Sequence, residues 1–374
     1  MIRVHGNYVC KKTEDWFTDV TVDVGLGPDL HRQRTVWTDI DNDGWDDVLV
    51  STGGYDENGF SVFLNDEGDF TDITGASGVN GFGAGVALPA DFDNDGNVDL
   101  YLGVNTPEQN TLDYYSTILL GDGAGQFTEV PSNGVDVMFE VNLGGETVMH
   151  RPSHVAAAAA DYDGDGIVDI YTGNWEIEYP IGTAYPDQLF QGAGDGTFAN
   201  VSDASGVTAN KGAAYGVAWW DYDNDGDQDV ATANYGGQFN YLWENQGDGT
   251  FVNASSDHNF GVAGDGKGGT SFGHDFGDID NDGDLDAYES TIQHPRFEGV
   301  TGGSTMHLSS GAPDFDFTDV TGTLGIHRDE GEIDGSFAGF DNDGRLDLFL
   351  SDLYTGHYGR LLRQNEDGTF TDVT

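Results

Sequence analysis

The chain has 374 residues, of which 67 are acidic and 13 basic, giving a formal net charge of -54, and 12% of its residues are aromatic. That balance excludes a general nucleic-acid binder and disfavours docking on an anionic membrane, while the aromatics and a regular apolar pattern exclude a disordered polyacid. The single Cys10 makes no intramolecular disulfide, no apolar run approaches spanning length, and the opening MIRVHGNYVCKK lacks the apolar core of a secretory signal.

The first 21 residues make sense against the end of the chain. Tyr8 to Thr21 (YVCKKTEDWFTDVT) aligns without a gap on Leu361 to Thr374 (LLRQNEDGTFTDVT). Residues 1–21 therefore read as a half blade, the third and fourth strands of a sheet whose first two strands appear nowhere.

Residues 22–374 hold six copies of an acidic loop: D39IDNDGWDD47, D91FDNDGNVD99, D161YDGDGIVD169, D221YDNDGDQD229, D278IDNDGDLD286 and G339FDNDGRLD347. Carboxylates at positions one, three, five and nine and a backbone carbonyl at seven offer oxygen ligands at the spacing a tight loop around a hard cation needs. The expected ligands are Asp39, Asp41, Asp43, Trp45 and Asp47, then Asp91, Asp93, Asp95, Asn97 and Asp99. They continue as Asp161, Asp163, Asp165, Ile167 and Asp169, then Asp221, Asp223, Asp225, Asp227 and Asp229, then Asp278, Asp280, Asp282, Asp284 and Asp286. The sixth loop offers Asp341, Asp343, Arg345 and Asp347, but Gly339 replaces its first Asp, so that site is expected to be weak or empty. The expected ion is Ca2+, at about five strong sites, because four or five like charges within nine residues repel one another without a cation. Glycine at position six (Gly44, Gly96, Gly166, Gly226, Gly283, Gly344) allows the positive φ of the turn.

Loop starts are 52, 70, 60, 57 and 61 residues apart. Each loop is preceded by a small-residue stretch and followed by an alternating strand (DVLVS, DLYLG, DIYTG, DVATA, DAYES, DLFLS), a variable connection and a hairpin, clearest in L242WENQGDGTF251. Antiparallel four-stranded units that cannot bury both faces alone pack radially, which predicts an all-β protein, a β-propeller of six full repeats plus the N-terminal half blade. A seven-bladed ring closed from both termini, with its missing half in a longer parent, is the simplest solution. Pairing of the hairpin with another chain and a six-bladed ring with a free hairpin are the alternatives.

The D-x-D-x-D-G-x-x-D loop between the first two strands of each repeat resembles the FG-GAP or VCBS-type repeat of integrin α-subunit propellers. The GDGTFTDVT ending is similar to repeats of cartilage acidic protein and related secreted bacterial proteins. The resemblance covers nearly the whole chain. It implies an extracellular or cell-surface, calcium-stabilised recognition or adhesion module, with ligand contacts on the face away from calcium; it does not imply a particular function.

Basic residues gather in blade-to-blade connections: His31, Arg32 and Arg34; His150, Arg151 and His154; Lys211; Lys267 and His274; His327 and Arg328. From these, Arg32, Arg34, His150, Arg151, His154, Lys211, His274 and Arg328 form an expected ligand-binding set, in which cations on an acidic body would focus an anionic glycan or a partner's carboxylate. Pairing with neighbouring acids is the competing role. Aromatics in the second-to-third connections (Trp175, Tyr179 and Tyr185; Tyr235 and Phe239; Tyr354 and Tyr358) suit sugar stacking, a protein contact or blade packing. No nucleophile elbow or phosphate loop is present, and no residue is assigned as catalytic. The expected partners are an extracellular glycan or protein, or the chain itself through its N-terminal hairpin, with no nucleic acid and no membrane insertion. The alternatives to recognition are a structural subunit of an extracellular assembly and a lyase or hydrolase acting on acidic polysaccharide.

Overall fold

A computed structural model describes residues 10–12, 17–26, 34–51, 60–79, 82, 84–105, 114–143, 145–175, 184–261, 269–292, 303–327, 331–352 and 359–374. The fold is all-β, built from six four-stranded antiparallel blades of a β-propeller. The first blade is β3 (Arg34–Thr38), β4 (Asp47–Ser51), β5 (Phe60–Asp66) and β6 (Asp69–Asp72), preceded by a separate two-stranded sheet, β1 (Cys10–Lys12) and β2 (Phe17–Asp19). The second is β7 (Ala84–Ala90), β8 (Asp99–Val104), β9 (Thr117–Gly121) and β10 (Phe127–Glu129), followed by a hairpin of β11 (Phe139–Leu143) and β12 (Glu146–His150). The third is β13 (His154–Ala160), β14 (Asp169–Asn174), β15 (Gln188–Gly192) and β16 (Phe198–Asn200), and the fourth β17 (Ala214–Trp220), β18 (Asp229–Asn234), β19 (Tyr241–Asn245) and β20 (Phe251–Asn253). The fifth is β21 (Ser271–Gly277), β22 (Asp286–Thr291), β23 (Thr305–Ser309) and β24 (Phe317–Asp319), and the sixth β25 (Glu332–Ala338), β26 (Asp347–Asp352), β27 (Arg360–Gln364) and β28 (Phe370–Asp372).

Two compact units divide these blades, three to each. In the unit holding the first three, Ile40, Leu49, Val62, Leu100, Leu102 and Leu119 form one buried cluster and Phe92, Tyr101, Ile118, Ile170, Phe190 and Phe198 another. In the other, Trp220, Tyr222, Leu242, Phe260 and Phe317 form one cluster and Ile279, Tyr288, Met306, Leu348, Leu350 and Leu362 a second. Each cluster draws residues from two neighbouring blades, so a second strand is covered on both faces. Its sequence is accordingly a short unbroken run, and β4, β8, β14, β18 and β22 are buried along their whole length.

Within each unit, a turn beyond the fourth strand fastens one blade to the next. Phe127 N donates to Ser77 O at 2.7 Å, Phe198 N to Asn133 O at 2.7 Å and Phe370 N to Leu324 O at 2.8 Å, tying the outer strand of one blade to the turn that leaves its predecessor. The following glycine passes so close that a Cβ on Gly78 or Gly134 would lie 2.3 or 2.1 Å from the Phe127 or Phe198 carbonyl oxygen. The same fastening precedes the first blade: Phe70 N donates to Val24 O at 2.7 Å, and Gly25 would meet the Phe70 carbonyl. The turn leaving β2 thus behaves like the turn leaving a fourth strand.

Three features differ from the sequence reading. Pairing of Cys10 with Asp19 and Lys12 with Phe17 is one residue out of register with the C-terminal hairpin on which the ungapped alignment places it, because four residues rather than five connect the paired ends. The β11–β12 hairpin occupies what reads as a simple blade-to-blade connection; its signal is the alternation of Phe139, Val141 and Leu143 before Gly144-Gly145. Short helical turns at Ser202–Ser205 and Val207–Ala209 follow β16 in a chain that reads as all-β.

Gly134→Ala is expected to cost about 2 to 4 kcal/mol in urea unfolding, from a strained positive φ plus a backbone clash. Gly44→Ala, at φ 92° with no atom within 4 Å of its Cβ, is expected to cost about 1 kcal/mol in chelator. Equal costs would mean that the fastening turn contributes nothing.

Candidate metal centres

Each acidic loop joins the first strand of a blade to the second, at the same end of every sheet as the third-to-fourth turn. Its backbone is set by local chemistry. Position six is glycine at φ 85–98° in all six loops, and position four is Asn at φ 58–61° or Gly164 at φ 71°. Asp39 accepts from Asp43 N at 3.1 Å and Gly44 N at 2.9 Å through its two carboxylate oxygens, and Asp91, Asp161, Asp221 and Asp278 repeat this pair. The position-five carboxylate accepts from the position-seven N–H, as Asp43 does from Trp45 at 2.8 Å.

The carboxylate at position nine has a role that ligand spacing alone does not reveal. Asp47 accepts from Ile40 N at 2.7 Å with one oxygen and from Asn65 N, at the end of β5, at 2.7 Å with the other. Asp99, Asp169, Asp229, Asp286 and Asp347 make the same two bonds, to their own loop and to the third strand. All six are at most 1% exposed. Burial raises their carboxyls despite these donors: to about 6 for Asp47 and Asp99, about 7 for Asp169 and Asp286, and about 8 for Asp229. Asp41, Asp93, Asp223 and Asp280 at position three are also raised, first by burial and then in part by the like charges beside them.

Five groups of three carboxylates converge, each with ligand atoms within 4.8 Å of one another: Asp39, Asp41 and Asp43; Asp91, Asp93 and Asp99; Asp161, Asp163 and Asp169; Asp221, Asp223 and Asp225; Asp278, Asp280 and Asp282. Asp41 Oδ1 is buried without a hydrogen-bond partner. An all-oxygen donor set, convergent anionic charge and an orphaned carboxylate oxygen fit a hard divalent cation. A cation there would supply the positive charge that the raised carboxyls lack. The sixth loop gathers no such group among the described residues. Arg345 instead reaches Asp343 through Nη2 and the Gln364 carbonyl oxygen through Nε at 3.1 Å, so a guanidinium stands beside the carboxylate.

Of the expected cationic ligand set, Arg34, His150, Arg151, His154, Lys211 and His274 are among the described residues. Arg151 forms a two-bond pair with Asp136, at 2.7 and 2.9 Å. Arg34 donates to the Val155 carbonyl oxygen, and His150 lies on β12 with its Nδ1 3.1 Å from the Arg151 carbonyl oxygen. His154 is 1% exposed and burial pushes it down to about 3; His274, its ring nitrogens shielded and its ring stacked on Phe276, is pushed down to about 4. Both are neutral near pH 7. Lys211 is exposed. Arg32, Arg328, His31 and Lys267 lie outside the described residues, as do Tyr179, Tyr354 and Tyr358. Of the other connection aromatics, Tyr185 is buried, Trp175 and Tyr235 are partly covered, and Phe239 is 53% exposed.

The signature of the FG-GAP-like repeat matches residues 39–102 and 221–288, each stretch running from one acidic loop through the next to its second strand. Two stretches of the chain thus carry FG-GAP-like repeats, within a fold of β-propeller blades. No curated protein matches it. Among solved structures, it is similar to an Agrocybe aegerita lectin described as recognising non-reducing terminal N-acetylglucosamine, at 17% identity and TM-score 0.50, over 90% of this chain and 78% of that one. It is also similar to a Bacillus licheniformis rhamnogalacturonan lyase, at 14% identity and TM-score 0.46, over 91% and 64%. The Vibrio cholerae biofilm matrix protein Bap1 aligns at 15% identity and TM-score 0.39, over 76% and 38%. At this identity the likeness to the lectin speaks to fold alone. No helix among the described residues is long and apolar enough to cross a membrane.

Two outcomes are expected. In chelator, stability should fall as pH rises from about 4 to 8, because the position-nine carboxyls bind protons in the folded state that the unfolded chain has released. Added calcium should remove most of this slope, and a chelated protein whose urea midpoint is level from pH 5 to 8 would contradict it. In the sixth loop, Gly339→Asp combined with Arg345→Asn should raise bound calcium by one equivalent per chain, measured by equilibrium dialysis.

Proposed function

We propose that this chain is a calcium-stabilised recognition module that works outside the cell, holding a glycan or protein ligand without turning it over. The observation that carries the reading is the segregation of its chemistry. Five convergent carboxylate groups occupy one end of the blades, where Asp39, Asp91, Asp161, Asp221 and Asp278 begin their loops. Strand alternation directs the second-to-third and blade-to-blade connections to the other end, away from these groups, and connections are where binding residues concentrate. Hard oxygen donors that also cap their own loop suit calcium as a structural ion, which needs no open coordination position for a substrate. Extracellular calcium is abundant enough to keep such sites filled. At a hundredfold excess over Kd each filled site adds about 2.7 kcal/mol, so several together rival the net stability of a domain.

A second reading, assembly between chains, is favoured by one observation. β1 and β2 pair only with each other among the described residues, yet the turn that follows them is fastened to Phe70 as a fourth-strand turn is. That hairpin would stand as the outer half of a seventh blade, open to an inner half supplied by further chain or by a partner.

Chelation should lower the melting temperature by more than 10 °C at neutral pH, since losing even about 3 kcal/mol shifts a domain of this size by several degrees. A melting temperature indifferent to chelator would refute structural calcium. Light scattering in millimolar calcium separates the two readings: a monomer supports a recognition module, whereas a polymer that disappears when residues 1–21 are deleted supports assembly.

A further inference from the structure

We propose that the rim of the fourth and fifth blades, at the end opposite the acidic loops, is a stacking subsite for a neutral sugar ring, formed by Tyr215, Tyr235, Phe239 and Phe272. This deepens the reading of that end as the recognition face and rests on it.

Strand geometry makes the cluster. The first strands of both blades carry a bulge at their far end, at Tyr215 between Ala214 and Gly216 and at Phe272 between Ser271 and Gly273. A bulge frees one residue from the alternation of the strand and re-aims its side chain. The two strands approach closely here, for a Cβ on Gly216 would lie 2.4 Å from the Phe272 carbonyl oxygen. The bulged rings consequently meet, at 4.6 Å between centroids and 43° between planes. Tyr235, just past β18, completes a triad at 5.4 Å from Tyr215 and 5.9 Å from Phe272. All three rings are partly open to solvent.

The loop that carries Tyr235 and Phe239 is held in place by buried polar groups. Asn234 N donates to Asn240 Oδ1 and Asn234 Nδ2 to the Phe239 carbonyl oxygen, both at 2.7 Å. Ala213 N donates to Gln238 Oε1 at 2.8 Å, Gly237 N to Gly269 O at 2.7 Å, and Asn240 Nδ2 to Ser271 Oγ at 3.1 Å. An exposed phenylalanine fixed in a braced loop loses little further entropy on binding. Asn234 Oδ1 lies buried beneath it without a partner.

Size and charge select the occupant. In this unit, the other strongly exposed large apolar residues among those described are Val252 and Val373, on or beside fourth strands rather than on the first strands and the loop that carry these four rings. Four rings match the scale of a sugar face, whereas a stable protein interface buries ~800 Å² per partner. A tyrosine or phenylalanine face suits the C–H face of a pyranose, with peripheral hydroxyls left to polar groups. An anionic sugar is disfavoured by the net charge of -54, against which Lys211 is one exposed cation near this loop.

The test is a glycan array of neutral, uronic and sulfated oligosaccharides probed with the calcium-loaded protein, followed by calorimetric titration of the best trisaccharide. Expected is retention of a neutral glycan whose affinity falls at least about tenfold in Phe239→Ala and in Tyr235→Ala. Phe239→Ala removes an exposed ring, so its melting temperature should match the parent protein. Neutral-glycan binding unchanged in both variants would overturn the site while leaving the recognition reading intact. Retention of anionic glycans alone would overturn the ligand class. Retention of no glycan would overturn the inference and leave the face to a protein ligand.

Discussion

The structure depends on one recurring interaction, the carboxylate at position nine of each acidic loop, which joins three pieces of chain that are far from equivalent. Through Asp47 or Asp229, one oxygen ties the loop to its own start and the other ties it to the end of the third strand. The group is buried, yet its two donors are backbone amides rather than a cation. That combination leaves a carboxyl poised between charged and neutral, and it makes the loop, the second strand and the third strand a single unit. A divalent ion beside it would turn an electrostatic cost into a stabilising contact.

Segregation follows from this arrangement. Antiparallel strands place the acidic loops and the third-to-fourth turns at one end, where Asn42 Nδ2 bonds Asn97 Oδ1 at 2.9 Å and Asn224 Nδ2 bonds Asp284 Oδ1 at 2.7 Å between neighbouring loops. The structural charge is confined there. The opposite end is free to vary in length and sequence without disturbing the fold, which is the condition under which a repeat scaffold acquires a binding surface.

The basic residues illustrate why counting charges in connections is a poor guide to a site. Arg151 and Arg34, for which the sequence leaves both ligand binding and local pairing open, are committed, one to Asp136 and the other to a backbone carbonyl. His154 and His274 sit in first strands, where neighbouring blades desolvate them and favour the neutral ring. In a chain with so many acids, an arginine finds a carboxylate before it finds a ligand. Aromatic rings have no such competing partner, and Phe239 keeps its exposure.

What the sequence by itself determined is whatever is local and repeated. Loop spacing, the glycines at position six, the short apolar second strands and the Asp-Gly hairpins each follow from interactions within about ten residues, and six copies in register made the four-stranded blade legible. The replacement of Gly339 and the arrival of Arg345 likewise marked the sixth loop as different before any coordinates. Only the tertiary structure decided the rest. The second bond of each position-nine Asp reaches a residue 16 to 23 positions away in the next strand, as in Asp229 to Asn245 and Asp169 to Gly192, and spacing within the loop carries no trace of it. The β11–β12 hairpin hid in an interval that repeats do not constrain. The meeting of Tyr215 with Phe272 required two bulges and a glycine contact between separate blades, a matter of packing that period and composition do not encode.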